Sequence, residues 1–142
     1  MNPLLSIKGT IAVGVVLAVA VAYGLGSGFN GLNAVIWLHV LAGVAWIGLV
    51  YYFNCVQVPG VATALSEADS GGPGPAAINK YIAPSALLWF RMAAAVTWLT
   101  GMSGLAQLGG GMQGIVNAFT LSGGMHIIGM GAWLGTIMLF NV

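Results

Sequence analysis

The sequence predicts an all-α, polytopic membrane protein whose four transmembrane helices form two repeated two-helix units. Three observations carry this. Of 142 residues only 4% are charged and 59% are hydrophobic, more apolar surface than a soluble domain of this size can bury, so the solvent is a bilayer. A crossing helix needs about 20 largely apolar residues, which leaves room for roughly four and for no second folded domain. Residues 1–142 therefore read as one transmembrane domain. Finally, HVLAGVAWIGLVYYFN (His39 to Asn54) returns as HIIGMGAWLGTIMLFN (His126 to Asn141).

The ungapped register matches His39 with His126, Trp46 with Trp133, Phe53 with Phe140 and Asn54 with Asn141. Apolar composition alone does not supply such matches. The preceding helices echo each other more faintly, Leu4, Leu5 and Lys8 against Leu87, Leu88 and Arg91. A duplicated two-helix unit accounts for both.

The first helix is expected over residues 4–25, with Lys8 ahead of the run Ile11 to Tyr23. Its small residues Ala18, Ala20 and Ala22 resemble a signal-peptidase site, but the segment is read as a retained span. GSGFNG, Gly26 to Gly31, is a short loop. The second helix, 32–56, stops ahead of Pro59, whose ring disfavours a helical residue before it. Residues 57–83 contain Glu67, Asp69, GGPGP and Lys80 and read as an exposed loop. The third helix, 84–108, begins at Pro84, suited to a first helical turn, and GGGM, Gly109 to Met112, breaks it. The fourth, 117–142, has its start anywhere between Ile115 and Leu121.

With four spans, both termini and the 57–83 loop share one side. Lys8, Lys80 and Arg91 fall toward that side, which the positive-inside rule places in the cytoplasm. Tyr51, Tyr52, Tyr81 and Trp89 near that face, and Tyr23 and Trp37 near the other, suit interfacial aromatic belts.

Composition excludes several functions. A net charge of +1 without clustered Lys and Arg offers no surface for nucleic acid. The single cysteine, Cys55, rules out an internal disulfide and a CxxCH haem-attachment motif, and reads as a small apolar filler. Two acidic residues leave little scope for carboxylate catalysis.

The histidines are the candidate site. His39 lies about 10 Å into the second helix and His126 about 8 to 16 Å into the fourth, at 1.5 Å per residue. The two helices run the same way, so both imidazoles are expected at one depth about a pseudo-twofold axis, suited to the two axial positions of one haem b iron. Gly43 and Gly129 would let a flat macrocycle approach the backbone. Trp46 and Trp133, seven residues on, fall on the same helix faces and would wall the pocket or simply pack. Arg91 either snorkels to the headgroups or pairs with a haem propionate. The plainer reading is that each histidine hydrogen-bonds a neighbouring helix. Ala93, Thr97 and Gly101, and the pair Gly131 and Gly135, read as close helix packing. Asn54 and Asn141 look like caps or helix-to-helix hydrogen bonds.

WLHVLAGVAWIGLVYYFN (Trp37 to Asn54), NKYIAPSALLWFRM with TWLTG (Asn79 to Gly101) and HIIGMGAWLGTIMLFNV (His126 to Val142) resemble the membrane domain of bacterial cytochrome c urate hydroxylases and, more distantly, the membrane-bound haem-binding protoporphyrinogen oxidases. The resemblance implies a bacterial inner-membrane protein taking part in redox chemistry, with His39 and His126 as the intramembrane histidines and Arg91 as the basic position of the third helix. No CxxCH domain is present, and the first helix has no counterpart in that pattern.

The expected function is electron transfer by a small haem b protein within or beside a larger membrane complex, with a cytochrome c or a quinone as redox partner. The alternative is a cofactor-free accessory subunit packing against other membrane subunits. A third reading is a fragment of a urate hydroxylase-like enzyme. Residue types alone assign no catalytic group.

Overall fold

A computed structural model of the chain describes residues 6–24, 26 and 30–141. Every regular element among them is a helix: α1 (Ile7–Gly24), α2 (Gly31–Tyr52), α3 (Val58–Ala68), α4 (Ala83–Leu108), α5 (Met112–Phe119) and α6 (His126–Phe140). Two segments of π-helix precede α3 and α4, at Phe53–Gln57 and Ile78–Ile82. Expectations for Leu4, Leu5, Leu25, residues 27–29 and Val142 lie outside the described residues.

The chain forms two compact units, residues 1–34 and 35–142. In the first, Ser6 caps α1 by accepting the Gly9 N–H at 3.1 Å, and Asn30 caps α2 through the Asn33 N–H at 2.8 Å, each satisfying a first-turn donor that has no helical acceptor. Three helical segments are long and apolar enough to cross a membrane: Ile7–Gly24, Gly31–Ala68 and Ile78–Leu108. The apolar helix His126–Phe140 is shorter, at 15 residues.

Pro59 does not end the second helix as its sequence position suggests. The five-residue π turn comes first: the Val58 N–H reaches back to the Phe53 carbonyl, and the proline, which has no N–H to give, falls in the first turn of α3. A wider turn ahead of a proline lets the helix absorb the missing donor. The same device recurs before Pro84, where the Ala83 N–H bonds the Ile78 carbonyl. The expected 57–83 loop is therefore helical over much of its length, with residues 69–75 connecting α3 to the next turn.

The fourth helix also differs. Residues expected to form one span from about 117 divide into α5, a turn and α6. Gly110 and Gly111 at φ 74° and 92° reverse the chain after α4, and Gly123 and Gly124 at φ 60° and 79° separate α5 from α6. These left-handed values suit residues without a Cβ.

In the second unit α2, α4 and α6 pack side by side. Trp46, Ala93 and Ala94 form a small buried cluster with Val50, Phe90 and Leu139 against it. The ladder Ala93, Thr97, Gly101 is an inner face of α4: Ala93 and Thr97 are buried, and Gly101 faces the His39 ring. Contacts of α4 residues 97–104 with α2 residues 43–35 run antiparallel, as do those of α4 with α6, so α2 and α6 share one direction.

Candidate functional site

His39 is held by α4. Its Nδ1 lies 2.8 Å from the Thr97 carbonyl oxygen and 3.2 Å from Thr100 Oγ1. A carbonyl only accepts, so Nδ1 carries the proton and donates. Thr100 directs its own hydroxyl to the Val96 carbonyl at 2.7 Å and serves the imidazole as a second acceptor. Nε2 is left with no hydrogen bond among the described residues. Gly101 makes the close approach possible, because a Cβ there would stand 3.2 Å from His39 Cε1.

The ring borders a cavity of about 530 Å³ between α2, α4 and α6, whose lining is almost wholly apolar and includes Trp46, Gly101, Gly131 and Gly135. Sites for small ligands occupy about 300–1,000 Å³ and carry few, placed polar groups. Trp46 is 4% exposed, and its indole N–H finds no acceptor among the described residues. No family model, curated protein or solved structure matches this chain.

The other expected site residues lie elsewhere. Trp98 Nε1 donates to Thr136 Oγ1 at 2.9 Å, which sets α4 against α6 and brings the level of His39 opposite Trp133 and Leu134. His126 lies seven residues before Trp133, about 10 Å away along the helix. It is exposed at the first position of α6 and does not line the cavity. The two imidazoles do not converge, because the repeat carries a register offset of about two turns once α5 and its glycine turns are inserted.

Gly43 packs against α4, where a Cβ would lie 3.8 Å from Thr97 Cγ2. Gly129 and Trp133 serve α5: Gly129 abuts the Ala118 carbonyl oxygen, and Trp133 donates its N–H to the Phe119 carbonyl at 2.9 Å while stacking edge-on against the Phe119 ring. Arg91 is exposed on α4 and does not line the cavity. Gly131 and Gly135, expected to pack closely, line the cavity instead, and a Cβ at either meets nothing within 4 Å. Asn54 and Asn141 bond their own helices, to the carbonyls of Val50 and Ile137.

Thr97 and Thr100, which orient the imidazole, carried no site signal in the sequence. A helical Thr bonds its own backbone by default, and only pairing with a histidine on an antiparallel neighbour distinguishes these two.

Proposed function

We propose that the chain is an integral membrane protein that binds haem b at His39 and passes electrons within or beside a larger membrane complex. The observation that carries this reading is the Nδ1–H bond to Thr97. Histidines that ligate metals donate their other ring N–H to a carbonyl or carboxylate, which fixes the tautomer and aims the free nitrogen. Here that leaves the Nε2 lone pair without a partner among the described residues, on a side chain that lines an apolar recess of about 530 Å³.

His39 would hold the iron and the apolar wall of the recess would face the ring system; His126, outside the cavity, supplies no second imidazole to it. Bound there, the haem contributes one-electron chemistry at a potential tuned by its ligand and surroundings. The protein's own part is to hold the imidazole, through Thr97 and Thr100, and to exclude water with an apolar wall. This reading takes α6 as the fourth crossing in a bacterial inner membrane, with both termini cytoplasmic, and keeps the likeness to urate hydroxylase membrane domains as part of the proposal. A cytochrome c or a quinone is the redox partner it calls for.

A second reading, a cofactor-free accessory subunit, is favoured by the uncovered pair Gly131 and Gly135, a small-residue face of the kind that admits a neighbouring helix. Reduced-minus-oxidised absorption of the freshly isolated native assembly separates the two. A b-type Soret and α band supports the haem reading, and a flat difference spectrum supports the accessory subunit.

A further inference from the structure

An open groove of about 760 Å³ runs between α2 and the start of α4 and shares no residue with the His39 cavity. Its walls change character along their length. Val44 and Leu49 line an apolar stretch; eight residues on from Val44, about 12 Å at 1.5 Å per residue, α2 presents Tyr52. The facing wall runs antiparallel and brings Tyr81 and Ser85 toward that same end. The hydroxyls of these three residues make no hydrogen bond among the described residues. A Cβ on Gly48 would meet nothing within 4 Å, so the gap beside it is open space. At the polar end stands a cation: Lys80 Nζ lies 5.2 Å from the centre of the Tyr81 ring and has no acidic partner among the described residues, which include both acids of the chain, Glu67 and Asp69.

We propose that this groove holds one anionic phospholipid, an acyl chain lying along Val44, Gly48 and Leu49 and the headgroup at Lys80; this rests on the membrane reading above and is independent of haem. Apolar side chains that give way to tyrosines and a lysine follow the profile of one leaflet, from acyl chain to headgroup. The free hydroxyls of Tyr52, Tyr81 and Ser85 can donate to phosphate or ester oxygens. Charge selects the headgroup. An unpaired ammonium at the membrane boundary attracts an anion, and one such lysine is worth about fivefold in favour of anionic lipid.

The test exposes the full chain, in mild detergent, to an equimolar mixture of phosphatidylglycerol and phosphatidylcholine with the same acyl chains, and counts retained lipid by native mass spectrometry. Wild type is expected to keep one lipid, with about fivefold preference for phosphatidylglycerol. Lys80→Gln should keep a lipid without that preference, and Gly48→Leu, whose side chain enters the open space, should lose most of the retained lipid. Equal retention by wild type and Gly48→Leu, or no headgroup preference in wild type, overturns the proposal. Should Gly48→Leu fail to fold, photoactivatable phosphatidylglycerol on wild type decides. Label within residues 44–52 and 81–89 supports the groove; label confined to other residues, as where a second copy or a partner helix covers it, overturns it. A chain that stays in solution without detergent overturns the membrane reading together with this one.

Discussion

Trp98 reaches from α4 to α6 and donates its indole N–H to the hydroxyl of Thr136 at 2.9 Å. Thr136 in turn donates to the Ala132 carbonyl at 2.8 Å, so a single chain of bonds ties α6 to a fixed height on α4. That height determines which residues share the His39 level.

Trp98→Phe and Thr136→Val are each expected to lower stability by about 0.6 to 1.7 kcal/mol, the range for interhelical hydrogen bonds in membranes. The double variant should lose less than the sum, because both changes remove one bond. Reversible unfolding in mixed micelles measures this, and strict additivity would count against the bond.

His39→Ala and His126→Ala should part company. On the haem reading, the first removes the anchored imidazole and with it the expected b-type spectrum; the second, at an exposed position outside the cavity, leaves that spectrum intact. Loss of the bands in both would restore the paired-histidine arrangement suggested by the repeat.

Alanine at glycine positions provides an internal contrast. At Gly101 the new methyl would meet the imidazole at 3.2 Å and displace it, weakening haem binding by about tenfold to a hundredfold, as other losses of ligand orientation do. At Gly131 or Gly135 it meets nothing, and the gain in helix propensity is expected to stabilise the unliganded chain by up to about 1 kcal/mol. Thermal unfolding and haem titration of the three variants give both numbers.

Gly129→Ala places a methyl against the Ala118 carbonyl oxygen and the Leu121 side chain. Overpacking of this kind costs about 1–3 kcal/mol. The strain falls on the α5–α6 contact, so limited proteolysis within residues 109–125 should quicken in the variant, and unchanged cleavage would refute the close fit.

Much of the architecture was written in composition and periodicity. Long apolar runs predicted the helical class, and the ladder Ala93, Thr97, Gly101 the inner face of α4; the second helix, expected from residue 32, starts at Gly31, whereas the third, expected from Pro84, extends back through Ile78. Pro59 misled because proline is compatible with two outcomes, a stop or a π turn, and the choice depends on whether the preceding carbonyls find other donors. Gly123 and Gly124 fell inside the expected fourth helix, 117–142, although paired glycines before a histidine equally end one helix and start another. Of the residues expected at a site, His39 and Trp46 line the cavity; intramembrane position singled out the first and helical spacing the second. His126, Gly129 and Trp133 were assigned from a sequence repeat, and likeness in sequence fixes neither height nor rotation. Those depend on how many residues the connection consumes, here on α5 and its turns.

The uninterrupted helical path Gly31–Ala68 contains 38 residues, about 57 Å of rod at 1.5 Å per residue, against a hydrocarbon layer of about 30 Å. No tilt of ordinary size hides such a length. A crossing of about 20 residues leaves the remainder outside the hydrocarbon, and Glu67 and Asp69 at the end of α3 put the charge in that remainder.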